Sequence, residues 1–116
     1  MKHRIDSYGF GRISIDWKSF SNDVIITPEK IIPDWFRTRG HSLAVEDLAE
    51  ILAAPPAALV VGLGAYSVMK PPESTIKQLE GKGMKLICLP TAGAMEEYNR
   101  RSAAGENVVA ALHLTC

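Results

Sequence analysis

The stretch Ala58-Leu59-Val60-Val61-Gly62-Leu63-Gly64-Ala65-Tyr66 decides how this chain folds. Its first four residues are an unbroken apolar run, the pattern of a strand covered on both faces. The glycines that follow place a tight turn at the strand's carboxyl end. A helix is expected from about Pro72, with Ile76 and Leu79 three apart on one side, ending at Gly81 or Gly83. Met84 to Leu89 is the next buried strand. Thr91 is placed to cap a third helix that puts Met95, Tyr98 and Ser102 on one side, and Gly105 to end it. Val108 to Leu114 supplies the last strand. Strands alternating with helices of this length make right-handed βαβ units, so the carboxyl half reads as a small three-strand parallel core.

Working back toward the amino terminus, the period changes. Val45, Leu48, Ala49, Ile51 and Leu52 fall at helical spacing, with Glu46 and Asp47 in the opening turn where the helix dipole favours them, and Pro55-Pro56 stops the run. The first third is β-rich. Ile13, Ile15 and Trp17 alternate with Ser14, Asp16 and Lys18, and a hairpin return is expected near Asp16 to Lys18. The returning run Phe20 to Thr27 carries Val24, Ile25 and Ile26, and Pro28-Glu29 turns the chain into Ile31-Ile32 before Pro33. These segments read as one antiparallel layer of two or three strands, too small to hold a core of its own. No linker, repeat or low-complexity tract divides the 116 residues, so a single α/β domain over 1–116 is expected.

Apolar residues are 47% of the chain and charged ones 22%, a balance that supports one packed core. Thirteen basic residues offset thirteen acidic ones, which supplies no net field for phosphate contacts and argues against nucleic-acid binding. Met1-Lys2-His3-Arg4 is not followed by an apolar stretch. The longest uncharged run, Ala53 to Met69, is broken by prolines and glycines and is shorter than the ~20 residues that span a bilayer, so neither a secretory signal nor a membrane anchor is expected. Two cysteines, Cys88 and Cys116, without CxxC spacing, fit a reducing, cytoplasmic compartment.

In open parallel sheets ligands sit beyond the carboxyl ends of the strands. That rule nominates Gly62, Gly64 and Tyr66 after one strand, Thr91 after the next, and His113 at the end of the last, as a candidate site whose backbone amides would hold a small anionic or carbonyl group. Each has a structural alternative: the glycines as a plain tight turn, Tyr66 as sheet-edge packing. Gly62 to Ser67 lacks the third glycine of a dinucleotide fingerprint, and Pro71-Pro72 delays the helix. His113 and Thr115 share a face in an extended segment and Cys116 opposes them, so a His113 to Cys116 catalytic pair is not expected. Cys88 reads as an inert core thiol. His41 and Ser42 would need a third group to act as base and nucleophile, and nothing in the sequence supplies it. With no HExxH or paired CxxC spacing, no metal site is expected. Trp17, Trp35 and Phe36 are the aromatics placed to reach the surface, either as interface anchors or as cover for the open β edge.

Ile5-Asp6-Ser7-Tyr8-Gly9-Phe10-Gly11, Ser21 to Ile26, Gly40-His41-Ser42-Leu43, Glu46-Asp47-Leu48, Val61 to Tyr66 and Leu112 to Cys116 together resemble the Mth-nine-three-eight-like domain family over essentially the whole chain. That family includes small archaeal and bacterial proteins of unknown function, a human adipogenesis-associated member and a more distant assembly factor for respiratory complex I. The resemblance implies a three-layer α/β fold with a mixed, largely parallel central sheet, an added antiparallel β layer and flanking helices. It also draws attention to Gly62, Gly64, Tyr66, Pro72, Pro90, Thr91, His113 and Cys116. Trp17 stands where relatives often carry a turn glycine, and Leu63 where they often carry a hydroxyl residue. No reaction class emerges and no cofactor is implied. The expectation is a noncatalytic binding or assembly-type domain that works through a protein partner or as a homo-oligomer; the alternative is a small-molecule-binding protein or enzyme using the nominated loops.

Overall fold

A computed structural model describes residues 3–37 and 42–116. Five strands form the central sheet, in the order β5 (Ile31–Ile32), β4 (Val24–Ile26), β8 (Val108–His113), β6 (Ala58–Leu63), β7 (Lys85–Leu89). β6 lies parallel to both β7 and β8, which is the expected three-strand parallel core. β4 runs antiparallel to β8, with Val24 opposite Leu112, and β5 pairs antiparallel with β4. The sheet is therefore mixed. A separate antiparallel sheet holds β1 (Ile5–Gly9), β2 (Arg12–Ile15) and β3 (Lys18–Phe20) in chain order.

Phe20 to Thr27 is not one returning strand of the antiparallel layer: β3 ends at Phe20, and β4 crosses to the central sheet, taking Ile31-Ile32 with it. The physical reason is burial. Val24, Ile25 and Ile26 are all fully buried, so this run needs cover on both faces, which only the central sheet provides. The expected hairpin at Asp16 to Lys18 is present, with Asp16 and Trp17 both at positive φ as its two-residue turn.

Period-2 alternation distributes the sheet's side chains into two cores. Ala58 and Val60 of β6, Val108, Ala110 and Leu112 of β8, and Val24 and Ile26 of β4 face α3 (Thr91–Ala103) and the small sheet. Leu59, Val61, Val109, Ala111 and Ile25 face the opposite way, onto Leu48, Ile51, Met69 and Leu79. On that second side the expected first helix is two short pieces, a 3-10 turn over Val45–Leu48 and α1 over Ala49–Leu52, before α2 (Glu73–Glu80). Gly81, expected as a left-handed cap for α2, has φ −63; Gly83, at φ +87, makes the reversal.

α3 carries Tyr98 and Ser102 buried and Met95 against the core, on the side expected. It also seals the end of the small sheet. The Asn99 side chain accepts from the Ile5 N–H at 2.9 Å and donates to the Ile5 carbonyl at 2.8 Å, replacing a missing neighbouring strand at that point. Removing both bonds in Asn99→Ala should cost about 1–3 kcal/mol, seen as a lowered urea midpoint with an unchanged m-value.

Candidate functional site

The carboxyl ends of β6, β7 and β8 converge, and Thr91 sits where they meet. It is fully buried. Its hydroxyl donates to the His113 carbonyl at 2.6 Å and accepts from the Gly64 N–H at 2.9 Å, while its own N–H donates to the Gly64 carbonyl at 3.1 Å. The sequence reading placed Thr91 as the side-chain cap of α3. Instead Pro90 holds the cap position, Thr91 is the first helical residue, and its hydroxyl is spent on the two neighbouring strand ends. Its hydroxyl thus fastens two strand ends to each other and, through its place just after β7, to the third.

The two glycines answer to this packing. A Cβ at Gly62 would lie 2.8 Å from the Thr91 Oγ1 and 2.9 Å from Leu112. Gly64, at φ +101, would place a Cβ 2.5 Å from the Cys116 carbonyl oxygen. The loop's amides also bond within the chain: Ala65 N–H to the Thr115 carbonyl at 2.6 Å, Val68 N–H to the Cys116 carbonyl at 2.9 Å and Met69 N–H to the Leu63 carbonyl at 3.1 Å. Tyr66 points outward, 74% exposed, with its ring centroid 6.2 Å from that of Phe10 on the β1–β2 turn. Four of the five nominated residues, Gly62, Gly64, Thr91 and His113, are therefore brought together, and Tyr66 stands outside them.

Beside Thr91 lies a buried charged cluster that sequence reasoning missed. The Asp23 carboxylate accepts from the Leu114 N–H at 2.7 Å, from Arg37 at 2.7 Å and from the His113 Nδ1 at 2.7 Å. The same His113 Nδ1 also lies 3.0 Å from the Arg37 guanidinium, and Nε2 faces the Thr115 hydroxyl at 3.5 Å. Arg37 also stacks over Trp35, 4.9 Å from the ring centroid, and Trp35 donates its N–H to the Asp23 carbonyl at 2.8 Å and its indole N–H to the Asp47 carbonyl at 2.9 Å. Trp35 is thereby buried, not a surface aromatic as expected, whereas Trp17 and Phe36 do reach the surface. The signal in the sequence was Asp23 itself, an acid directly before three apolar strand residues, which must find partners when the strand is buried.

The order Asp23, His113, Thr115 repeats the groups of a nucleophile relay, but not its working geometry. The His113 to Thr115 distance is at the outer limit of a hydrogen bond, and His113 is only 5% exposed. The cluster is chemically a clamp between the segment after β5 and the end of β8.

Tyr8 adds a third strap. Its hydroxyl donates to the Leu114 carbonyl at 2.8 Å, which also receives the Gly11 N–H at 2.9 Å, tying the small sheet to the same chain end. Burial pushes the Tyr8 hydroxyl above its ordinary pKa of 10.0, against the opposing effect of its contact with Thr91, with the Asp23 charge adding to the rise. Burial likewise raises the Cys88 thiol, in keeping with an unreactive core cysteine. Among the described residues no group of three or more His, Cys, Asp or Glu could hold a metal ion, and no helix is long and apolar enough to cross a membrane. His41 lies outside the described residues. At the opposite end of the sheet a separate concavity of about 540 Å³ is floored by Ile32, Ile51 and Val109 and crossed by the exposed Lys30–Glu50 ion pair.

A mixed five-stranded sheet with a second antiparallel sheet and a buried polar clamp at its strand ends defines a class of small α/β domain. The chain belongs to the family described as protein of unknown function (DUF498/DUF598), whose model matches residues 5–113. Among solved structures it is similar to a conserved hypothetical protein from Pyrococcus horikoshii OT3, 26% identical with a TM-score of 0.84 over 97% of this chain and 99% of that one. A Bordetella parapertussis protein is 27% identical with a TM-score of 0.83, over 97% and 96% of the two chains. A Bordetella pertussis protein described as an Mth938-like domain is 25% identical with a TM-score of 0.68, over 97% and 85%. These likenesses agree with the Mth-nine-three-eight-like family that the sequence resembles.

Two outcomes test this account of the strand ends. Thr91→Val keeps the shape but strands a buried N–H and a buried carbonyl, so it should lower stability by about 2–4 kcal/mol while Thr91→Ser costs far less, read by chemical denaturation. The folded chain keeps the Tyr8 proton above the pH at which an unfolded tyrosine loses it. Stability should therefore be level on this account below pH 10.0 and fall above it, and Tyr8→Phe should flatten that fall.

Proposed function

We propose that this domain is a noncatalytic binding or assembly-type module that works through protein contacts. The observation that carries the reading is the contrast at the carboxyl ends of the strands. The polar groups there are bonded to one another, while the Phe10 and Tyr66 rings beside them face outward. Gly64, Ala65, Val68 and Met69 donate their amides internally, which leaves them committed and not arranged as a cradle for an anion. Phe10 and Tyr66 together present a tilted aromatic pair, 59% and 74% exposed, on a turn and a loop both strapped to the chain end. Aromatics held rigidly at a surface give up little entropy on binding and are the residues that carry interface energy.

A second reading, a small-molecule site formed by Gly62, Gly64, Tyr66, Thr91 and His113, is favoured by one observation: His113 is oriented by Asp23 and Arg37 at the place where parallel sheets bind ligands. Both readings are separated by one comparison. Affinity capture with cross-linking mass spectrometry should recover a defined partner with the wild-type chain and lose it, by tenfold or more in yield, with Phe10→Ser/Tyr66→Ser, a change worth about 1.4 kcal/mol or more. A partner recovered equally by both proteins would overturn the aromatic face. A small-molecule adduct in native mass spectra, absent from His113→Gln, would transfer the assignment to the second reading.

A further inference from the structure

The four outer edges of the two sheets are not treated alike. β5 is two residues long and is followed by Pro33, β3 is three residues long and begins with the exposed Lys18, and β1 carries a register irregularity between Ile5 and Ser7 where Asn99 bonds its backbone. Short strands, charges, prolines and bulges are the devices that keep an edge from pairing with another chain. β7 has Lys85 at its start and Pro90 after its end, but no charge, proline or bulge between them. Its five residues run in unbroken register along β6, from Lys85 opposite Ala58 to Leu89 opposite Gly62. Leu86, Ile87, Cys88 and Leu89 are all only part-buried. A parallel strand with an apolar sequence is ordinarily covered, and this one stands at the end of the sheet.

The phase of the ladder fixes what that edge offers. The Lys85 N–H donates to the Ala57 carbonyl at 2.9 Å, so Lys85, Ile87 and Leu89 turn their peptide groups toward β6. Leu86 and Cys88 turn theirs outward. An antiparallel copy of the same strand, related by a two-fold axis through Ile87, sets Leu86 opposite the copy's Cys88. All the outward groups of β7 are then used, in two hydrogen-bonded pairs flanking a close Ile87–Ile87 contact. Lys85 falls opposite Leu89 of the copy, so like charges do not meet and its stem covers an apolar side chain. Moving the axis by one residue toward the carboxyl end would bring Pro90, which has no N–H, into the ladder. Moving it the other way would leave the strand.

We infer that β7 is the seam of a symmetric homodimer in which two copies of this chain pair their edge strands antiparallel, through Leu86 and Cys88, into one continuous sheet. This rests on the reading that the domain works through protein contacts, and names a surface for them distinct from the Phe10–Tyr66 face. Native mass spectrometry and light scattering on the full chain should give twice the single-chain mass. Ile87→Cys in a Cys88→Ser/Cys116→Ser background should cross-link to dimer in high yield on mild oxidation, and Leu86→Pro and Ile87→Lys should each lose the dimer with the circular dichroism of a folded chain. A wild-type chain that keeps the single-chain mass at submillimolar concentration, or a dimer whose Ile87→Cys form does not cross-link, overturns the proposal. Should either blocking variant unfold, the cross-linking result decides. A monomeric wild type would remove this seam and leave the aromatic face to stand or fall on its own capture experiment.

Discussion

The constraint on which the site depends is the buried hydroxyl of Thr91, which bonds the carbonyl at the end of β8 and the amide at the turn after β6 while its backbone opens α3 from the end of β7. Three parallel strands end in peptide groups that have left the ladder, and in a buried setting each must find a partner. One threonine supplies partners for the Gly64 peptide groups and the His113 carbonyl. Its closeness explains why a side chain is excluded at Gly62, and the chain end lying over the turn explains the same at Gly64. The glycine spacing that a nucleotide fold would use for phosphate serves here to admit the Thr91 and Leu112 side chains at Gly62 and the Thr115–Cys116 backbone at Gly64.

Around that knot the remaining polar groups act as straps between layers. Asp23 precedes a strand buried on both faces, and its carboxylate cannot be left alone there; Arg37, His113 and the Leu114 amide neutralise and bond it. Because Arg37 follows β5 and His113 ends β8, the bond pattern fixes the segment after β5 against the end of the central sheet. Tyr8 does the same for the small sheet through the Leu114 carbonyl. Two sheets that share no strand are in this way held in one arrangement, and the turn bearing Phe10 is brought beside the loop bearing Tyr66.

On the proposed reading, a chain whose strand ends are bonded internally meets a protein partner through exposed side chains and through one sheet edge. The exposed aromatics and the unguarded β7 are different kinds of surface. The first offers desolvation and shape, the second a row of directional hydrogen bonds. Either can serve a protein that assembles with others, and neither calls for a reacting group.

The local signals in the sequence were strong where chemistry is local. The unbroken apolar run of β6, the breaks at Pro55-Pro56 and Pro72, the alternation leading into the Asp16-Trp17 turn and the face of α3 bearing Tyr98 and Ser102 follow from periodicity and from what proline and glycine allow. The convergence of Gly62, Gly64, Thr91 and His113 was also legible, because parallel strands must end on one side of their sheet. What the tertiary structure decided was partnership. Whether Val24 to Ile26 joins the small sheet or the central one depends on which offers cover on both faces. Trp35 is buried because Arg37 and the Asp47 carbonyl meet it, and Thr91 spends its hydroxyl on strands 22 and 27 residues away in the chain, not on its own helix. Spacing along a chain fixes which way a side chain points within its element; which other element waits there is settled only when the layers pack.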